Sequence, residues 1–225
     1  MQKQELEIYL KPGIYLNSNT TEVIAYTQDT IGTSKTNLEK SQKLYYRIRD
    51  QFRYNPYQID LSPGGFKASN LLQKNNGYCI EKASLLVACA RAAGIPARIG
   101  FVIVENHIGT KKLEQILRSN KLVFHGYMEF YLQENWVKAT PAFDKKLCDK
   151  LGVHPLEFNG RDDSVFQEFS STGDKFMEYL HDYGTFADFP YELAQQEFQK
   201  HYPHLFDEQG NSQYEKFFYF SGKAI

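Results

Sequence analysis

Leu44, Ile48 and Phe52 recur at helical spacing, with Tyr45 widening the stripe. Thr36-Asn37-Leu38-Glu39 ahead of them has the spacing of a capping box, and together they predict a helix over 38–53 that ends before Asn55-Pro56. Upstream, residues 1–35 hold Pro12-Gly13 and many Thr and Asn, a pattern for short strands or extended chain. Residues 56–67, with Pro63 and Gly64-Gly65, read as an exposed loop with room to border a cleft, and 69–74 as a short helical turn. The Ala- and Leu-rich stretch 80–93 puts Ala83, Leu86, Val87 and Ala90 on one helix face, and Gly94 followed by Pro96 stops it. Residues 97–104 form a buried strand pattern. A short helix is expected over 110–120, with Leu113, Ile116 and Leu117 at helical spacing and a Glu114–Arg118 pair. Residues 121–132 and 136–140 are two strands joined by the turn Gln133-Glu134-Asn135. Helices followed by strands indicate an α+β domain. Beyond 150 the periodicity weakens, with helices expected over 174–183 and 191–201. The division expected is a domain over 1–150 and a segment, 151–225, packed on it, because so many Phe and Tyr are costly to leave in water.

The 225 residues, with 42% hydrophobic content, suffice for a buried core. A formal net charge of -1, with no basic block denser than Lys111-Lys112 or Lys145-Lys146, argues against a nucleic-acid partner. No apolar run approaches the roughly 20 residues of a membrane helix. The stretch Met1-Gln2-Lys3-Gln4-Glu5-Leu6-Glu7 lacks a secretory layout, so the expectation is a cytoplasmic protein without a membrane partner. Three cysteines, Cys79, Cys89 and Cys148, are an odd count without metal-ligand spacing, which suggests neither a disulfide framework nor a zinc site.

Cys79 follows Gly77-Tyr78 at the start of the helix predicted from 80 onward. There, unpaired N–H groups and the helix dipole favour an anion, so the position is expected to lower the thiol's pKa and to offer an oxyanion site. Position alone leaves a second reading open, that of a small core residue. Cys89 in Leu86-Val87-Ala88-Cys89-Ala90 reads as packing and Cys148 as incidental.

Four blocks occur in order: Gly77-Tyr78-Cys79-Ile80-Glu81-Lys82-Ala83, Arg91-Ala92-Ala93-Gly94-Ile95-Pro96-Ala97-Arg98, His125-Gly126-Tyr127-Met128-Glu129-Phe130-Tyr131-Leu132, and Trp136-Val137. Over roughly residues 40–144 this arrangement resembles the transglutaminase-like superfamily of papain-type cysteine enzymes. The resemblance implies a nucleophilic Cys79 at a helix N-terminus, packed on a mainly antiparallel sheet that carries His125 as its base. Tyr54 resembles the aromatic residue ahead of the family's catalytic loop. Period-two alternation puts His125, Tyr127 and Glu129 on one face of their strand.

The third member departs from the pattern. Aligning on Trp136-Val137 and Pro141 puts Thr140 where the family has an aspartate, and a threonine can orient an imidazole without stabilising its charge. A turn centred on Glu134-Asn135 would instead set Asp144 opposite His125, leaving Thr140 opposite Glu129, about four residues or roughly 13 Å along the strand. Both candidates stand, Thr140 by family position and Asp144 by hairpin geometry, though Pro141 interrupts the ladder. Glu81 reads as a helix-start carboxylate pairing with Arg98 or Arg91, Glu129 as an ion-pair partner of an arginine, and Trp136 as a core aromatic.

The resemblance implies acyl transfer on peptide or isopeptide-type amides through a thioester, as hydrolase or, with a small amine as acceptor, as transamidase. It implies no metal or organic cofactor. Two alternatives accompany it. One is an arylamine N-acetyltransferase-like enzyme; the other is a degenerate binding module, motivated by Thr140.

Overall fold

Thr36 accepts a hydrogen bond from the Glu39 N–H while the Glu39 carboxylate accepts from the Thr36 N–H, so the expected capping box opens its helix. The structure, a computed structural model, describes residues 3–107, 111–165 and 170–213. A short turn, α1 (Lys3–Leu6), precedes α2 (Thr21–Ile31) and α3 (Asn37–Gln51). Strands β1 (Arg53–Tyr54) and β2 (Asn76–Gly77) form a small parallel pair that sets Tyr54 against Gly77, two residues before Cys79. Next come α4 (Cys79–Ala92), β3 (Ala97–Asn106), α5 (Lys111–Leu117), β4 (Lys121–Leu132), β5 (Asn135–Ala139), α6 (Lys145–Leu151), β6 (Met177–Phe186) and α7 (Tyr191–His201).

The main sheet is antiparallel throughout, in the order β5-β4-β3-β6. Helix α4 lies between this sheet and helices α2 and α3, and every residue from Cys79 to Arg91 is buried. A helix buried on all sides has no polar face to pattern, which is why the single apolar stripe read from its sequence understates it. Gly94, at φ +78°, ends it as expected.

Two expectations fail for tertiary reasons. Residues 21–31 are helical rather than extended, with Thr20 capping the Val23 N–H and Val23, Thr27 and Thr30 buried. Residues 177–186 form an edge strand beside β3, not a helix. This strand carries two extra residues against its partner, so its side chains never settle into a period-two pattern. The helix expected over 110–120 is α5, and residue 110 lies outside the described residues. The Asp188 carboxylate accepts the Ile14 and Leu16 N–H groups at 2.7 and 2.9 Å, stitching the early chain to the late one. Among the described residues, no helix is long and apolar enough to cross a membrane.

Candidate active site

Tyr78, with extended backbone, is the N-cap of α4, and its N–H is accepted by the Glu81 carboxylate at 3.2 Å. Lys74 holds the same carboxylate at 2.7 Å, so the expected pairing of Glu81 with Arg98 or Arg91 is replaced by one with Lys74. Arg98 pairs with Glu129, as expected for Glu129. Arg91 donates to the carbonyls of Ala97, Lys11 and Ala187. Trp136 is half-buried at the sheet margin, under the Arg98 guanidinium at 4.1 Å, rather than in the core.

Strand β4 crosses the start of α4 in contact with it. A Cβ on Gly126 would lie 3.1 Å from the Ile80 Cα and 3.3 Å from the Cys79 carbonyl oxygen. A side chain here would push the strand and helix apart by a few tenths of an ångström, and the close approach brings His125 into the cleft that Cys79 lines. His125 pairs with Val102, and beside it an extra residue in β4 makes a bulge with Phe124 at φ +60°. As a result four consecutive residues, Leu122 to His125, line the cleft.

The thiol is not the pre-ionised group that its position alone predicts. Burial pushes the Cys79 pKa up to about 11, against the lowering effect of the Gly126, Ile80 and Cys79 N–H groups and the Tyr54 side chain. Burial pushes His125 down to about 4. At neutral pH the resting pair is therefore a thiol and a neutral imidazole.

The two candidates for the third position have different surroundings. The β4–β5 turn centres on Gln133-Glu134, both at positive φ, and Met128 pairs with Ala139. The ladder is thus offset by two residues from the expected one: counted onward, Thr140 comes opposite Tyr127 and Ala142 opposite His125. Thr140 leaves the sheet at that point, its N–H donating to the Ser164 carbonyl at 2.8 Å. Among the described residues its buried hydroxyl and the His125 Nδ1 have no hydrogen-bond partner, and both residues line one small cavity with Ala142, Phe143 and Met177. Asp144 is the N-cap of α6. One of its oxygens accepts the Leu147 N–H at 3.1 Å and the other the Tyr54 N–H at 2.8 Å. Its carboxylate fixes the backbone beside the thiol's tyrosine neighbour.

The cleft spans about 600 Å³ of space, part of it open to solvent. Its far wall was not foreseen as part of the site. It consists of Leu113 and Leu117 from α5, Phe198 from α7, and Tyr202, Leu205 and Phe206 after it. Phe198, Tyr202 and Leu205 stand at i, i+4 and i+7, an apolar spacing that could have marked them. Away from the cleft, Glu105, His107 and Glu178 bring one possible metal-ligand atom each within 4.8 Å of one another. These groups also engage neighbours: Asn120 donates to Glu105, and Lys175 pairs with Glu178.

The family description "Transglutaminase-like superfamily" matches residues 24–141, more than half of the chain. The chain belongs to this superfamily. The match includes Cys79, His125 and Thr140, and stops short of Asp144 and the α7 wall. Among solved structures, the chain is similar to "a Putative Cysteine Protease from Cytophaga hutchinsonii" at 15% identity and a TM-score of 0.48, covering 82% of this chain and 55% of that one. It is also similar to the periplasmic domain of TgpA from Pseudomonas aeruginosa, at 17% identity and a TM-score of 0.43, covering 63% of this chain and 48% of that one. A third, "a putative protease from Parabacteroides distasonis", has 18% identity and a TM-score of 0.39, covering 60% of this chain and 25% of that one. The chain thus spans about half or less of the length of these structures. No curated protein matches it.

Proposed function

We propose that the protein is a cysteine-dependent acyl-transfer enzyme that attacks an amide carbonyl through Cys79, with hydrolysis of a peptide or isopeptide-type bond as its outcome. One observation carries this reading. A thiol at the start of a buried helix, with N–H groups from two elements bearing on its sulfur, opens into the same cleft as an imidazole on the crossing strand. Because the resting pair is neutral, the proton leaves Cys79 as the substrate carbonyl is attacked. His125 takes the proton, Sγ bonds to the carbonyl carbon, and the N–H groups of α4 receive the developing oxyanion. Collapse breaks the C–N bond, the amine leaves with the proton from His125, and a thioester remains on Cys79. Water activated by the same imidazole then releases the acid and frees the thiol; an amine in its place would give transamidation. Each step uses this chain's own side chains and backbone. Once the ring is protonated during turnover, Thr140 orients it by accepting from Nδ1–H, a bond that the resting site lacks among the described residues.

The test is intact-mass detection of an acyl adduct on Cys79 during turnover of a panel of peptide amides, with the Cys79→Ala, His125→Ala and Thr140→Ala variants alongside. The expected result is an adduct that disappears in Cys79→Ala and forms at least ~100-fold more slowly in His125→Ala. No adduct on Cys79 with any amide, and no effect of His125→Ala, would sink the reading. A binding module without turnover is the second reading, favoured by the uncharged third position and the neutral resting pair. It predicts equal peptide affinity for the wild type and Cys79→Ala, with neither consuming the peptide.

A further inference from the structure

We propose that the cleft beside Cys79 is the subsite for the acyl half of the substrate, and that it selects an amide whose carbonyl-bearing residue has a large apolar side chain, aromatic or leucine-like. This inference rests on Cys79 being the nucleophile. Tyr78, Cys79 and Ile80 line the cleft as consecutive residues, so whatever is bonded to Sγ in the thioester starts inside it. Among the described residues, none of its lining side chains carries a charge at neutral pH, His125 being neutral there. The Tyr202 hydroxyl on the far wall is already committed, donating to the Lys121 carbonyl at 2.7 Å and accepting the Val123 N–H at 2.9 Å. A carboxylate or ammonium brought against this wall would be desolvated without a partner, whereas a phenyl or isobutyl group would exchange water for Leu113, Leu117 and Phe198. The wall comes from α5 and from the chain around and after α7, most of it beyond the part of the chain that matches the superfamily. The selectivity therefore draws both on Leu113 and Leu117, within the superfamily match, and on Phe198 and the residues after it, beyond the match.

The experiment uses N-acetyl-X anilides and N-acetyl-X chloromethyl ketones with X as Phe, Leu, Gln, Glu or Lys, and a reversed set of amides carrying Phe only on the amine side. Burial of one such side chain corresponds to a preference of roughly 10- to 100-fold. The full-length protein is expected to hydrolyse the Phe and Leu anilides, and to be labelled at Cys79 by the matching ketones, with that advantage over Glu and Lys. Leu117→Arg should erase the preference and Val123→Trp should block the bulky substrates, with circular dichroism checking the fold of each. Fluorescence titration of Cys79→Ala with N-acetyl-Phe-amide against N-acetyl-Glu-amide reads the cleft independently of any chemistry. Equal rates, labelling and affinity across X would overturn the proposal, as would a preference for Gln or one that appears only in the reversed set. If no reagent labels Cys79 while Cys79→Ala still binds the Phe amide preferentially, the nucleophile assignment fails and the apolar selectivity stands.

Discussion

Lys82 and His125 are both buried near the start of the same helix, and the fold treats them in opposite ways. The Lys82 ammonium donates to the carbonyls of Arg49, Phe52 and Ala142 at 2.9, 2.8 and 2.7 Å, clamping α3, the entry to β1 and the chain after β5 onto α4. All three protons of its charged form are used, although burial lowers its pKa to about 7. The His125 Nδ1, by contrast, has no partner among the described residues, nor has the hydroxyl of Thr140, which lines the same small cavity. Burying a polar atom without a partner costs roughly 1–3 kcal/mol, so a chain held together by stability alone would pair such atoms or lose them. The clamp is architecture.

Removing the clamp should give the largest effect. Lys82→Met leaves three buried carbonyls unpaired and is expected to destabilise the fold by about 4 kcal/mol in urea unfolding; a loss under about 1 kcal/mol would mean that the clamp does not hold these segments. The imidazole comes next. Burial lowers its pKa from 6.5 to about 4, so as the pH falls below 6.5 the unfolded chain takes the proton while the folded one refuses it. Over that window the wild type should lose about 3 kcal/mol more stability than His125→Asn; parallel curves for the two proteins would show that His125 is not buried as described. Asp144→Ala removes the α6 cap and the bond to the Tyr54 N–H, for about 2 kcal/mol. Its rate loss should be matched by Tyr54→Phe, and a loss matched instead by Thr140→Ala would return Asp144 to the histidine. The smallest expected change has the opposite sign. Thr140→Val deletes an unpaired buried hydroxyl and should stabilise the fold by up to about 1 kcal/mol while slowing turnover ~10-fold; a destabilised variant would show that the hydroxyl is paired after all.

Much of the fold around these two residues was legible in the sequence. The capping box of α3, the extents of β4 and α7, and the stop at Gly94 all rest on local rules that tertiary packing did not override. The meeting of Cys79 and His125 in one cleft followed from ordered motif blocks. What stayed hidden depends on distant partners. Helix α2 is rich in β-branched residues and is helical because its buried face packs on α4. The bulges in β6 erase its alternation, and the one beside His125 turns four adjacent residues into a cleft wall. The β4–β5 offset depended on which two residues take the turn, Gln133-Glu134 or Glu134-Asn135, a difference of one position that moves every partner by two. Burial of the thiol could not be read from its place at a helix start, and it reversed the expected shift in pKa.

The far wall of the cleft also places the site in time. Synthesis runs from the N-terminus, so Cys79, His125 and Thr140 leave the ribosome well before Phe198, Tyr202 and Leu205. A nascent chain with its helix and first strands in place holds Cys79 and His125 but only part of the cleft that they line. The cleft gains the side formed by Phe198, Tyr202, Leu205 and Phe206 only when α7 and the chain after it dock, and a chain cut short before residue 198 keeps Cys79, His125 and the α5 side of the cleft alone.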